Sequence, residues 1–204
     1  KGSMKHSYVK KTDNNLIVSI SGSDTTEDSV TLELDSADVA GNFVATSFEE
    51  LNLVATGVAD GGDHAIGAIT LSNTAASESI TVTGTVNLDI GGAITADEVD
   101  ASAFTGVFDN VDAAATHESN ITSGSGADSL RGSADADILN AGSGNDRLQG
   151  EGGADLLSGG NGNDIFVLDD TNTDETVADT ITDFDAGTST TTNDQIVYDI
   201  SSLE

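Results

Sequence analysis

Five aspartates recur at every ninth residue of one stretch: Asp128, Asp137, Asp146, Asp155 and Asp164. Carboxylates at a fixed spacing can transfer protons, repel one another across a surface, or hold a hard cation between them. Their surroundings decide among these. Residues 123–167 divide into five nine-residue units with nothing left over: SGSGADSLR, GSADADILN, AGSGNDRLQ, GEGGADLLS and GGNGNDIFV. Asp fills the sixth place of every unit, and an apolar residue (Leu130, Leu139, Leu148, Leu157, Phe166) fills the eighth. Gly holds the fourth place in four units out of five. A flexible acidic Gly/Ser linker would not keep three residue classes in phase, so the stretch is a repeat architecture.

These units resemble the repeats-in-toxin (RTX) family of calcium-binding nonapeptides, whose pattern is G-G-x-G-x-D-x-U-x with U apolar. The resemblance implies a parallel β-roll, a β-solenoid in which six residues turn and three form a short strand. Physical reasoning on the residues agrees. With two units per coil, turns on one side recur at every second unit, which puts Asp128, Asp146 and Asp164 on one edge and Asp137 and Asp155 on the other. Neighbouring strands lie ~4.8 Å apart. Two carboxylates at about 5 Å, with an effective dielectric near 20, repel by roughly 3 kcal/mol. Without a cation the stack opposes itself.

Calcium suits such a gap, because it is a hard ion taking 6–8 oxygens at ~2.3–2.6 Å from carboxylates and carbonyls. The turn glycines Gly124, Gly126, Gly142, Gly144, Gly150, Gly153, Gly160 and Gly162 are expected to adopt positive φ and aim carbonyls inward. Stacking alternate units predicts roughly three bridging sites, between units one and three, two and four, and three and five. Unit two departs from the pattern with Ser133 and Asp135, and unit four with Glu151; Ser123 and Ala141 replace first glycines. Asp tolerates a left-handed backbone, so the turn of unit two is expected to survive. The Asp137–Asp155 edge is the weaker calcium row.

The elements that must carry these turns are strands. From Leu16 to Asp109 the chain reads as short β-type runs between Gly, Asn, Asp and Ser turns. Val30, Leu32 and Leu34 alternate onto a buried face; residues 51–54, 69–71, 80–82 and 86–90 repeat the pattern. Residues 36–39 and 95–99 read as single helical turns. The fold class is therefore all-β. Segments 47–57 (SFEELNLVATG) and 96–106 (ADEVDASAFTG) resemble stretches of bacterial surface-layer (S-layer) and related secreted RTX proteins. The upstream strands form either irregular solenoid coils continuing into the roll, the favoured reading, or a separate β-sandwich. Asn120-Ile121-Thr122 is a glycosylation-type sequon, read here as a bare strand entering the first coil.

After the roll, 179–187 (DTITDFDAG) resembles the segment that often closes RTX arrays, and 193–197 reads as a final strand. An open solenoid end needs a cap, and Phe184 and Ile196 are the expected plugs. Asp183 either completes the last calcium site or is a solvated surface carboxylate. The expected organisation is a β-rich region over 6–118, the calcium-binding roll over 119–168 and capping strands over 169–204. The opening KGSMK and the closing Leu203-Glu204 read as cloning remnants.

Composition narrows the function. Of 204 residues, 36 are acidic and 6 basic, for a net charge of −30. Nucleic acid and anionic lipid find no basic patch to hold. There is no Cys, so neither disulfides nor thiol chemistry are available. No apolar run reaches the ~20 residues of a membrane span, so direct membrane insertion is not expected. Residues 170–181 fail as an EF-hand, with Glu175 in the Gly place and Ile181 in the place of the bidentate Glu. His6, His64 and His117 stand without partner motifs. Aromatic content of 4% and no Trp argue against a sugar cleft for the carboxylates. No enzyme is expected.

The S-layer and RTX resemblances together imply a calcium-dependent structural module at the bacterial cell surface. Several calcium ions, about three or more, would be its cofactor, and copies of itself in a lattice its partner. The RTX resemblance implies export by a type I secretion machinery and folding outside the cell. The alternative is a secretion and folding appendage of an extracellular enzyme, toxin or adhesin whose active part lies outside this sequence.

Overall fold

The computed structural model describes residues 7–10, 29–35, 42–46, 48–57, 64–72, 77–110, 118–169, 178–187 and 193–199. The turn expected at 36–39, His6, His117, residues 170–177 and both chain ends lie outside them. In chain order the upstream strands are β1 (Ser7–Lys10), β2 (Ser29–Asp35), β3 (Phe43–Thr46), β4 (Glu50–Thr56), β5 (His64–Ile66), β6 (Ile69–Ser72), β7 (Ser79–Gly84), β8 (Leu88–Ile90), β9 (Glu98–Asp100) and β10 (Phe108–Asp109). They are followed by β11 (Asn120–Thr122), β12 (Ser129–Arg131), β13 (Ile138–Asn140), β14 (Arg147–Gln149), β15 (Leu156–Ser158), β16 (Ile165–Asp169), β17 (Thr180–Ile181) and β18 (Gln195–Asp199). Every pairing among them is parallel. One sheet runs β1-β2-β4-β7-β9-β11-β13-β15-β17, a second β18-β16-β14-β12-β10-β8-β5, and β3 pairs β6. The fold is a β-solenoid, and among the described residues no helix is long and apolar enough to cross a membrane.

The coils change length along the chain. Partners in the first sheet step from Ser29 to Glu50, Ser79, Glu98 and Asn120, at irregular intervals. From Asn120 they step to Ile138 and then Leu156, two whole nonapeptides each time. The second sheet repeats that step from Ser129 to Arg147 to Ile165. The first sheet therefore passes from the upstream strands into the repeats through the β9–β11 pairing, as the solenoid reading expects.

Inward side chains explain the taper. β4 alternates, with Leu51, Leu53 and Ala55 all buried, and β2 does the same with Val30, Leu32 and Leu34. β3 and β6 close a third side with Phe43, Ala45, Ile69 and Leu71. Each strand of the repeats sends its eighth-place residue into the core: Leu130, Leu139, Leu148, Leu157 and Phe166, every one at 0% exposure. Burying each such side chain contributes about 1.5–3 kcal/mol, and all of them belong to one continuous core. Asn120-Ile121-Thr122 is β11, with Ile121 inside.

Two expectations are corrected. Residues 95–99 form no helical turn: Thr95 Oγ1 donates to Leu71 O (2.8 Å) and accepts from Leu71 N (2.9 Å), pinning the chain extended against the neighbouring coil. The cap closes the end only in part. Phe184 packs on Phe166 with ring centroids 6.2 Å apart, yet is 40% exposed. Ile196 continues the inner column beside Phe166 but is 51% exposed, because no further coil among the described residues covers it.

Candidate metal centre

Each aspartate of the repeats sits at the end of its turn, one residue before a strand. That position fixes its carboxylate between coils. Along one edge Asp128 Oδ1 accepts the amide of Phe108 (2.8 Å), Asp146 Oδ1 that of Asp128 (2.8 Å) and Asp164 Oδ1 that of Asp146 (2.9 Å). Along the other edge Asp137 Oδ1 accepts the amide of Ser119 (2.6 Å) and Asp155 Oδ1 that of Asp137 (2.8 Å). The structure thus gathers the five aspartates into the two rows that two units per coil predict. All five are at most 2% exposed.

The second oxygens behave differently. Oδ2 of Asp128, Asp146, Asp155 and Asp164 is buried and has no hydrogen-bond partner. An ionised carboxylate buried without compensation costs several kcal/mol, so these atoms call for a proton or a cation. Burial is the main cause that raises the pKa of all five aspartates. Asp146 is pushed up to about 7, with the charges of Asp128 and Asp164 adding to burial. Asp155 also reaches about 7, through burial and then the charges of Asp179 and Asp137.

The turns bring further oxygens to the same places. A Cβ on Gly132 would lie 2.5 Å from both Asp137 Oδ2 and the carbonyl oxygen of Gly150, one coil on. Only a residue without a side chain leaves that carboxylate and carbonyl facing a common space. Gly144 has φ of 152°, and a Cβ there would run into the Gly126 carbonyl and lie 2.6 Å from Asp146 Oδ1. Positive φ is found at Gly142, Gly144, Gly153, Gly160 and Gly162, as expected, but Gly124, Gly126 and Gly150 do not adopt it. At those three the lack of a side chain serves close approach: a Cβ would meet the Phe104 carbonyl, the Gly106 carbonyl and Asp155 Oδ2 respectively.

Unit two survives by other means than the left-handed backbone expected of it. Ser133 donates its amide to Asp137 Oδ2 (2.5 Å), and its hydroxyl accepts the amide of Asp135 (3.0 Å). Asp137 is accordingly the one repeat aspartate whose Oδ2 already has a partner. Glu151 alone among the described non-glycine residues takes positive φ, at 72°, and its carboxylate is held by Arg131 Nε at 2.6 Å. Asp183 accepts the Gly159 amide (3.1 Å), the Gly160 amide (2.7 Å) and the Ser158 hydroxyl (2.7 Å), closing the last turn. Its charge also contributes to the raised pKa of Asp164. His64 is fully buried, with Nε2 3.2 Å from Thr56 O.

No group of three or more His, Cys, Asp or Glu side chains converges on one point among the described residues. A site built from one or two carboxylates and several backbone carbonyls has no such group, and that donor set is all-oxygen and hard. It fits calcium, whose shell of 6–8 oxygens tolerates irregular geometry, better than magnesium, which demands a near-ideal octahedron.

Sequence reasoning gave Asp179 and Asp194 no role, yet both extend the rows. Asp194 Oδ1 accepts the amide of Asp164 (3.0 Å), and Asp179 Oδ1 that of Asp155 (3.1 Å). An asparagine ladder runs alongside: Asn145 Oδ1 accepts the amide of Asn163 (2.9 Å), and Asn163 Oδ1 that of Asn193 (2.8 Å). The available signal was the Asn193-Asp194 pair, which repeats Asn163-Asp164 without the glycines.

Two overlapping stretches, 120–148 and 140–172, match the family of the RTX calcium-binding nonapeptide repeat, a four-copy pattern. No curated protein sequence and no solved structure matched the chain.

Proposed function

Residues 120–172 of this chain are RTX calcium-binding nonapeptide repeats, and from that premise we propose that the chain is a calcium-dependent extracellular structural module that assembles with its own copies at a cell surface. The observation that carries the reading is the set of buried, unpartnered Oδ2 atoms on Asp128, Asp146, Asp155 and Asp164. Asp128 with Asp146, Asp146 with Asp164, and Asp137 with Asp155 would hold the ions, together with turn carbonyls such as that of Gly150. The ion supplies positive charge between coils that otherwise repel.

What the chain contributes is pre-positioning. Amides of one coil fix Oδ1 of the next, so Oδ2 is left facing the gap. An ion that binds only the folded form stabilises it by ~2.7 kcal/mol per site at a hundredfold excess over Kd. Three such sites would add about 8 kcal/mol, comparable to the whole stability of an ordinary domain. Folding would then follow calcium, marginal in chelator and complete outside the cell. The repeats occur in secreted proteins, which supports an extracellular location; they serve as a non-catalytic scaffold. A folding appendage of a larger secreted protein would use the same linkage without self-assembly.

Calcium titration followed by far-UV circular dichroism, light scattering and electron microscopy separates these outcomes. Gain of β signal with growth of ordered sheets is expected. A chain that folds but stays monomeric in millimolar calcium refutes the assembly part and favours the appendage. A full β signal in chelator refutes the calcium linkage.

A further inference from the structure

Beyond residue 172, where the family match ends, the chain rebuilds half of a nonapeptide twice. Asn193-Asp194-Gln195-Ile196-Val197 reproduces places five to nine of the unit that ends Asn163-Asp164-Ile165-Phe166-Val167. Ala178-Asp179-Thr180-Ile181 likewise reproduces places five to eight of the unit containing Ala154-Asp155-Leu156-Leu157. Neither copy keeps the spacing of two nonapeptides per coil. Leu156 pairs with Thr180 and Ile165 with Gln195, both farther along the chain than two units reach. Across these longer intervals the register of the strands and of the aspartates is unbroken.

We infer that Asp179 and Asp194 each complete an additional divalent-cation site, Asp179 with Asp155 on one edge and Asp194 with Asp164 on the other. This rests on the calcium reading of the repeats and extends it to two turns that carry no nonapeptide. Three observations converge. Asp179 and Asp194 make the same amide-to-Oδ1 contact to the preceding coil as the repeat aspartates do, at 3.1 and 3.0 Å. Their partners Asp155 and Asp164 are 2% and 1% exposed, and Oδ2 of each is buried with nothing bonded to it. Asp194 is itself buried, at 8% exposure, and its Oδ2 is oriented by the amide of Asp185 at 2.8 Å. A carboxylate serving only to cap the end would face water; Asp194 is instead held inward by two amides.

The sites differ in what surrounds them. The Asp164–Asp194 step lies beside Asp183, whose carboxylate is already committed to the amides of Gly159 and Gly160. The Asp155–Asp179 step has Asp137 as its further charged neighbour.

Native mass spectrometry and metal analysis of the calcium-loaded chain test the inference, with Asp194→Asn, Asp179→Asn and an off-row control, Asp100→Asn. Asn keeps an Oδ1 acceptor for the amide of Asp164 or Asp155, so that hydrogen bond survives; Asp194→Asn also gives up the Oδ2 acceptor of the Asp185 amide, which makes Asp179→Asn the cleaner loss of a charged oxygen. The five aspartate-to-aspartate steps predict about five ions in the parent and the control. Each row variant is expected to hold one ion fewer, and the double variant two fewer, with circular dichroism in calcium unchanged. If one variant fails to fold, the count in the other decides. A parent that holds about three ions, with both variants unchanged, overturns the inference and leaves the calcium reading of the repeats standing. A parent that holds none overturns both.

Discussion

Asp146→Asn separates the two roles of the central aspartate, because its effect should reverse sign with calcium. Asp146 belongs to two steps of its row, accepting the amide of Asp128 at 2.8 Å and donating its own amide to Asp164 at 2.9 Å. Asn keeps both bonds. In chelator at pH 8 the parent must bury a charge whose pKa is raised from 3.8 to about 7 by burial and by Asp128 and Asp164. Taken at face value that shift costs the fold about 4 kcal/mol; screening by water at the turn reduces it to about 2 kcal/mol. The variant is therefore expected to be more stable than the parent without calcium, by about 2 kcal/mol. With calcium the balance turns over. Two ions lose a charged ligand, and a hundredfold loss of affinity at each removes about 2 kcal/mol per site when calcium stands at a hundredfold excess. Set against about 2 kcal/mol of relief, the variant ends about 2 kcal/mol less stable than the parent. Urea unfolding followed by circular dichroism, in chelator and in millimolar calcium, measures both. A shift of the same sign in the two conditions would refute the argument, because then the carboxylate acts through packing or hydrogen bonding alone.

The pH dependence should also invert. Every repeat aspartate has its pKa raised in the fold, so above about pH 4 the metal-free folded chain keeps protons that the unfolded chain has released, up to about pH 7 at Asp146 and Asp155. Stability in chelator is thus greatest at the acid end and falls by about 1.4 kcal/mol per pH unit for each such carboxyl until pH passes its folded pKa. In calcium, protons compete with the ion and stability rises with pH; urea midpoints across that range check both slopes. Leu148→Ala, at 0% exposure in a core one side chain wide, is expected to cost about 2–5 kcal/mol with or without calcium, and equal losses in parallel urea titrations would confirm that its role is independent of the ion.

Where local spacing and fold coincide, the sequence was sufficient. The nine-residue period placed Leu130 to Phe166 inside and sorted five aspartates onto two edges, because each coil of the roll is a short strand and a tight turn that repeats without insertions. The alternation of residues 30–34 and 51–54 likewise read directly as β2 and β4. Legibility ended where turns vary in length. β3 and β6 are joined across a third side that no periodicity announces, and Thr95 is held by Leu71, a partner in the preceding coil. Asp179 and Asp194 went unread for the same reason: inserted residues broke the spacing while leaving the register intact. Unit two shows the converse. Its missing glycines suggested a left-handed aspartate, but Ser133 satisfies Asp137 through ordinary backbone geometry.

The aspartate ladder also has a direction. On both edges the amide of each aspartate is held by the carboxylate of the following coil, never by that of the preceding one. Losing coils from the front frees an acceptor that solvent can reach. Either cut takes a ligand from the ion at that end, but losing coils from the back also leaves an aspartate amide without its acceptor. A polypeptide wired this way ratchets: the final turns behave as a keystone, and a nascent or truncated roll lacking them should ravel from that end inward, however many intact nonapeptides lie before it. Hydrogen exchange on chains shortened at either terminus would expose the asymmetry, and equal protection after both cuts would contradict it.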